Sequence, residues 1–165
     1  MKRLVIGLAI GVLGGTVGGF ALGIFVYPYW FLRDEARESL VAGVARSAVA
    51  TGSFIHVNTR DPVHWGRGGV TLYNEGPGRA VVHLEPDFEV GPGPRFHVYL
   101  ASRAEVAHRA DFEAGERIDL GRLRAFKGSQ VYAVPPGADL ARFASVVIWC
   151  KEFDVLNSPA RLVRK

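Results

Sequence analysis

The chain has 165 residues, of which 48% are hydrophobic and 22% are charged, and it contains 20 glycines and 9 prolines. This composition excludes an intrinsically disordered chain and favours a turn-rich fold of many short strands. The formal net charge of +4 comes from basic residues scattered singly along the sequence, which does not indicate a nucleic-acid-binding surface.

The chain begins with an apolar stretch, Leu4 to Val26, that contains no charged residue. A helix of this length is about 34 Å long, enough to cross the hydrocarbon core of a membrane. Lys2 and Arg3 precede the stretch, and a cluster of aromatic residues ending at Phe31 follows it. We therefore predict a single-pass anchor over residues 1–32, with a cytoplasmic N-terminus and the rest of the chain outside the cytoplasm.

A cleaved signal peptide is the alternative interpretation of a basic start followed by an apolar run. The run is longer than the apolar core of a signal peptide, and the one small-x-small site, Ala48-Val49-Ala50, lies too far downstream. We therefore favour an uncleaved anchor.

Glycines recur every fourth residue inside the predicted anchor. This spacing is typical of helix faces that pack closely against another membrane helix. The sequence therefore predicts a helix partner or a homodimer through this glycine ladder, which consists of Gly7, Gly11, Gly15, Gly19 and Gly23.

The segment after the anchor is rich in alanine and short charged groups. It predicts a helical juxtamembrane stalk over residues 33–50, with Gly43 as a weak point. The folded domain is predicted over residues 51–165.

Short strand patterns separated by Gly and Pro turns run through this domain, with a hairpin from Val70 to Glu85 through Glu75-Gly76-Pro77-Gly78. A single helical turn is expected between Asp139 and Phe143, and the polar segment Glu105 to Glu116 is expected to be irregular. The predicted fold class is mainly β, an antiparallel β-sandwich or small barrel of seven to eight short strands. The further predicted strands are 53–59, 88–90, 95–101, 118–121 and 130–134.

The most strand-like run extends from Ser145 to Val155, reads S-V-V-I-W-C-K-E-F-D-V, and contains the only cysteine. Alternation places Val147 and Trp149 on one face and Ile148 and Cys150 on the other. The pattern turns charged immediately after Cys150, which predicts a thiol near the boundary between core and solvent. Such a thiol is either a small buried hydrophobic group or a redox group or ligand.

Most familiar metal and catalytic motifs are missing from the sequence. One cysteine forms no intrachain disulfide, there is no C-x-x-C or C-x-x-C-H, and no histidine follows Cys150, so a blue-copper pattern is not indicated. No catalytic constellation is recognisable, and the sequence does not indicate an enzyme. Among the five histidines, His97 is best placed as a nitrogen ligand because it lies on a strand.

The closing run resembles the signature of the electron-transfer DM-thirteen domain family, as does His97-Val98-Tyr99-Leu100 after a Gly-Pro turn. Other positions agree in order over residues 51–163. They are Gly52-x-Phe54, His64, Glu85 with Phe88, Leu120-Gly121-x-Leu123, Lys127-Gly128-x-Gln130-x-Tyr132-x-x-Pro135 and Ala160-x-Leu162.

The resemblance implies a β-rich extracytoplasmic module of the kind found beside DOMON domains and b-type cytochromes. It also implies a redox role for Cys150, with Trp149 as its neighbour and with His64 and His97 at matching positions. The cofactor is not identified by the sequence, haem and a metal ion both being compatible with a cysteine ligand. The chain carries no DOMON or cytochrome domain, so any redox partner is separate. Asn157-Ser158-Pro159 departs from the family pattern and predicts that the last strand stops early.

Two functional hypotheses therefore follow. The first is a membrane-anchored redox or electron-transfer module that uses Cys150. The alternative is a non-redox binding or envelope-organising module in which Cys150 is structural.

Overall fold

The computed structural model describes residues 2–31 and 35–165. The first element is the helix α1, Lys2–Phe31. Within it, Val5–Ile24 has a mean hydropathy of 2.0 and is long and apolar enough to cross a membrane, a property that signal sequences share. The predicted boundary between anchor and stalk, at residues 32 and 33, falls outside the described residues.

The remaining described chain is mainly β-structure. Its elements are β1 Glu35–Arg37, β2 Ser47–Phe54, β3 Gly66–Arg67, β4 Gly69–Asn74, β5 Ala80–Leu84, β6 Glu89–Val90, β7 Phe96–Ala101, α2 Arg109–Glu113, β8 Arg117–Arg122, β9 Lys127–Val134, a 3₁₀ turn Leu140–Arg142, β10 Ser145–Cys150 and β11 Val155–Arg164. The predicted fold class is confirmed, with eleven strands in the described residues instead of seven or eight.

The strands form one curled sheet in the order β3-β6-β9-β5-β4-β2-β11-β10-β7-β8, and β1 adds to β9. Every described pair is antiparallel except β1 with β9. The main core lies inside the curl and includes Val82, Val98 and Ile148. A second apolar cluster lies on the outer face of β7 and β10, where Phe112 of α2 covers Val147 and Trp149. The predicted assignment of β10 side chains to two faces is therefore confirmed.

The predicted helical stalk is wrong, because residues 35–50 contain β1 and the first half of β2. β2 lies between β4 and β11, so both of its edges are hydrogen-bonded. Alanine has a high helix propensity, but propensity is a weak prior that tertiary contacts override. Here the ladders on both sides of β2 satisfy backbone groups that an exposed helix would satisfy internally.

Three further predictions in the C-terminal half are wrong. The strand that begins at Ser145 ends at Cys150, and residues 151–154 form a turn before β11. The last strand does not stop at Asn157-Ser158-Pro159, since Pro159 lies opposite Val147 and its carbonyl accepts the N–H of Ile55. The segment predicted as irregular contains α2, whose first turn is closed by Asp111 accepting the N–H groups of Ala107 and His108.

Gly128 allows β1 to lie against β9, so a side chain there is expected to release β1. The residue has φ +84, and a Cβ atom would lie 2.1 Å from the Ala36 carbonyl oxygen. Gly128→Ala is expected to remove hydrogen-exchange protection from the Glu38 amide, which donates to Ser129 O at 3.0 Å. Gly121→Ala is the matched control, because Gly121 has φ +116 with nothing within 4 Å of an added Cβ. Both changes carry a backbone strain of about 1–2 kcal/mol, so equal loss of protection at Glu38 would contradict the assigned contact.

Candidate functional site

Cys150 is the last residue of β10, and its side chain lies in the main core beside those of Val146 and Ile148. The residue is only 1% exposed, so the predicted position near the boundary is correct along the strand but the thiol itself is buried. Its Sγ atom donates to the carbonyl oxygen of Pro94 at 3.1 Å. Burial raises the pKa of the Cys150 thiol, although backbone N–H groups of Phe153 and Glu152 offset part of that effect. The neutral thiol is therefore favoured at neutral pH.

A cavity of about 120 Å³ adjoins Cys150 and is closed by three loops. Val63 and His64 come from the loop after β2, Pro92–Pro94 come from the loop before β7, and Phe153 comes from the turn after β10. Phe96 forms part of the wall. The cavity is therefore assembled from parts of the chain that are distant in sequence.

Two glycines allow these loops to approach each other. A Cβ atom on Gly91 would lie 2.1 Å from the Val63 carbonyl oxygen, and one on Gly93 would lie 2.4 Å from the Phe96 ring. The Gly91-Pro92-Gly93-Pro94 run thus lets the loop pack against Val63 and Phe96 while its prolines limit backbone freedom.

His64 is the only sequence-predicted histidine among the described residues that lines this cavity. Its Nδ1 atom lies 2.7 Å from Asp61 Oδ2, and Asp61 Oδ1 accepts the N–H groups of Val63 at 2.8 Å and His64 at 3.1 Å. A carboxylate only accepts hydrogen bonds, so Nδ1 carries the proton and Nε2 of the neutral ring is left with a lone pair. Asp61 was not singled out from the sequence, although the Asp61-x-x-His64 spacing was readable.

His97 lies on the other face of the sheet from Cys150. The register places His97 opposite Trp149, and Phe96 opposite Cys150. His97 Nδ1 contacts Asp119 Oδ1 at 2.9 Å, and the same carboxylate accepts Tyr99 Oη at 3.1 Å and Lys151 Nζ at 3.0 Å. The structure therefore brings His64, and not His97, to the cysteine cavity.

Trp149 also points away from Cys150, into the outer cluster. Its ring stacks on Phe112 with centroids 4.2 Å apart, and its Nε1 donates to Asp154 Oδ1 at 3.1 Å. Asp154 has φ +54, a left-handed conformation that aspartate tolerates, and this lets the turn after β10 return toward the tryptophan. Trp149 is thus a packing residue that anchors α2 and the turn.

Two other cavities contain none of the predicted site residues. One of them, about 630 Å³, lies at the opposite end of the sheet between segments 74–80 and 134–141. Across residues 2–31 and 35–165 no group of three or more His, Cys, Asp or Glu side chains is placed to hold a metal ion. The Cys150 cavity is smaller, but it holds the candidate chemistry.

Acid is expected to destabilise the fold partly through Asp61 and Asp119. The His64 hydrogen bond, followed by that of the Val63 N–H, lowers the pKa of Asp61 to about 2. Burial raises the pKa of Asp119, but hydrogen bonds from His97, Gly121 and Lys151 outweigh this effect and lower the pKa to about 2. Both carboxyl groups titrate near pH 4 when unfolded, so their stabilisation is present above about pH 4 and is lost as the pH falls toward 2.

Denaturant unfolding at a series of pH values tests this expectation. Asp61→Asn and Asp119→Asn should each make stability depend less steeply on pH between about 4 and 2. Glu105→Gln serves as the control, since that side chain is 85% exposed and its contact with Arg161 is 3.4 Å. If the loss of stability between about pH 4 and 2 were as steep in both aspartate variants as in the parent chain, the role assigned to Asp61 and Asp119 would be contradicted.

Comparison with known proteins gives one match. A family model described as "Electron transfer DM13" matches residues 57–162, a range that contains His64, His97, Trp149 and Cys150. No curated protein and no solved structure matches the chain. The match begins after β1 and β2, although β2 occupies an interior position of the sheet.

Proposed function

This chain belongs to the electron-transfer DM13 domain family, and from that premise we propose that it is a membrane-anchored extracytoplasmic redox module centred on the Cys150 cavity. The observation that carries the proposal is the meeting of Cys150 and His64 on one cavity within the matched range. A sulfur atom and an imidazole nitrogen are suitable ligands for a soft redox-active metal.

The cavity discriminates among the candidate cofactors. Cofactor pockets usually measure about 300–1,000 Å³, and a haem does not fit a cavity of about 120 Å³. A cavity of that size has room for a single ion, which Cys150 and His64 would hold. Cu(I) is the candidate, because thiolate and imidazole both bind copper and the ion supplies a one-electron couple.

A ligand role suits this thiol better than a role as a bare nucleophile. Burial raises the pKa of Cys150, which lowers the fraction of reactive thiolate at neutral pH. A coordinating metal would remove the proton regardless, because a metal-bound thiol is deprotonated.

The surrounding residues have separate tasks in this proposal. Asp61 holds the His64 ring through Nδ1 and directs the free Nε2 lone pair, as carboxylates do for many metal-binding histidines. Phe96 and Phe153 supply apolar walls that limit the access of water to the sulfur. When no metal is bound, the Cys150 thiol donates its hydrogen bond to the Pro94 carbonyl oxygen.

The test uses the full chain, expressed in membranes with copper supplied and then purified in detergent. Metal analysis and an absorption spectrum are compared with those of Cys150→Ala. The proposal expects stoichiometric metal in the parent chain and none in the variant. A metal-free parent that folds normally would overturn the bound-metal form, and alkylation kinetics would then test a bare reactive thiol.

One observation favours the alternative of a non-redox binding or envelope module. Cys150 is packed in the main core with its hydrogen bond satisfied, as a structural cysteine would be. In that case Cys150→Ala lowers stability without changing any bound metal, because none is present.

The glycine ladder of α1 is proposed to pack against a second membrane helix. The support for this proposal is the four-residue spacing of the five glycines within α1. Changing Gly11, Gly15 and Gly19 to leucine is expected to abolish crosslinked dimers in membranes, because leucine blocks close helix approach. The control is a variant in which Leu8, Val12 and Phe20, which lie outside the ladder, are changed to alanine. Crosslinking that survives the leucine changes would remove the ladder as the contact.

A further inference from the structure

The chain leaves α1 close to the folded domain. α1 ends at Phe31 and β1 begins at Glu35. Four residue steps span at most about 14 Å. Glu35 therefore lies within about 14 Å of the end of α1, whatever path the intervening residues take.

β1 is held firmly to one end of the sheet. Glu35 pairs with Lys127 at the start of β9, and Arg37 pairs with Ser129. Glu38 then accepts two hydrogen bonds from Arg124, at 2.5 and 2.6 Å, and one from the Val131 N–H at 2.9 Å. The end of the sheet at which β9 begins is thus the end nearest the anchor.

The strand register shows which other residues share that end. From β9 the antiparallel pairs lead around the sheet to the end of β10. They are Gln130 with Leu84, Leu84 with Val70, Gly69 with Ser53, and Phe54 with Ala160. From Ala160, β11 extends back toward the same end to its first residue, Val155, which pairs with Cys150.

A second, shorter route crosses the core and gives the same result. Cys150 pairs with Phe96, and the Phe96 ring packs on that of Phe126 with centroids 6.0 Å apart. Phe126 directly precedes Lys127, the partner of Glu35. Cys150 and the membrane-proximal strand β1 therefore lie at the same end of the domain.

This end also exposes apolar side chains. Ile55, directly after β2, is 55% exposed, and Phe153, in the turn after Cys150, is 49% exposed. Arg95 and Lys151 flank that turn, and both are paired with carboxylates, Arg95 Nη1 with Glu152 at 3.0 Å and Lys151 Nζ with Asp119 at 3.0 Å. The exposed apolar side chains, and not an excess of positive charge, are therefore what this end offers to the membrane interface.

We propose that the end of the sheet bearing Cys150 docks against the phospholipid headgroup region, with Ile55 and Phe153 at the contact. The proposal rests on the membrane anchoring proposed above. In this arrangement the domain is not held away from the membrane by a stalk, and its proposed redox cavity faces the bilayer. The three loops that close the cavity all belong to this end, so whatever exchanges electrons with it approaches from the membrane surface.

The experiment places a fluorophore at either end of the full chain in nanodiscs that contain headgroup-nitroxide lipid. Ile55→Cys labels the Cys150 end, and Pro77→Cys labels the exposed hairpin at the opposite end. β2 has eight residues. A strand of that length separates the two levels by about 26 Å. The parent chain is the labelling control, because Cys150 is 1% exposed.

Severalfold stronger quenching at position 55 than at position 77 is expected. Equal quenching, stronger quenching at 77, or no quenching at either position would overturn the docking. Retention of the chain in alkaline-washed membranes is measured in parallel. A chain that washes out contradicts the anchor itself and with it the docking, whereas a retained chain with the wrong quenching pattern contradicts only the docking. Metal content, measured separately, reports on the redox proposal.

Discussion

His64→Ala is expected to abolish metal retention by the Cys150 cavity, whereas His97→Ala is expected to leave it intact. The two histidines are a matched pair, since each places Nδ1 on an aspartate, at 2.7 Å for His64 and 2.9 Å for His97. They differ in location, because His64 lines the cavity and His97 lies on the other face of the sheet. Loss of the second ligand leaves a single sulfur, which is insufficient to retain the ion.

The aspartate partners extend the comparison. Asp61→Asn keeps the His64 ring but weakens its orientation, and outer-shell changes of this kind typically reduce metal affinity by about 10–100-fold. Asp119→Asn, the equivalent change beside His97, is expected to have no effect on affinity. Competition with a chromophoric Cu(I) chelator measures all four variants, and near-ultraviolet circular dichroism checks their folding. Loss of binding in the His97 variant with retention in the His64 variant would contradict the assigned site.

Ile148→Ala is expected to destabilise the fold by about 2–5 kcal/mol. Ile148 is fully buried in the main core, between Val98 of β7 and Ser158 of β11 in the register. Truncation removes apolar contacts and leaves a cavity that strands hydrogen-bonded on both sides cannot readily collapse.

Val163→Ala is the matched control for this change. It also truncates a β-branched residue, on the neighbouring strand β11, but Val163 is 63% exposed. Surface changes of this kind usually stay within about 0.5 kcal/mol. Denaturant unfolding of the full chain in detergent gives both values, and an equal cost would mean that the assigned core position of Ile148 is wrong.

Much of the fold was predictable because its signals are local. The apolar run of α1, the hairpin through Glu75–Gly78 and the alternation of Val147 and Trp149 against Ile148 and Cys150 all depend on neighbouring residues. Steric limits on the backbone and the two-residue period of a strand act at that range. For the same reason the single turn after Asp139 was predictable, since its carboxylate accepts the Ala141 N–H at 3.0 Å.

The failures concern segments whose conformation is set by distant partners. Residues 35–37 and 47–50 of the alanine-rich segment are strands because β9, β4 and β11 offer them hydrogen bonds. β11 continues through Pro159 because Ile55 donates to its carbonyl. α2 was missed because its five residues are too few for a periodic pattern, and burial of Phe112 against Trp149 stabilises it.

Local composition and period were enough to predict an apolar N-terminal helix, a β-rich domain and a single cysteine at the end of its most strand-like run. The sequence also carried the family resemblance, which lies in those same local motifs. Three relations follow only from the tertiary fold: His64 and not His97 lines the cavity with Cys150, Asp61 contacts the His64 imidazole, and this end of the sheet is the one at which β1 follows α1. Those relations depend on loop closure and strand register between residues far apart in the chain, for which no local pattern exists.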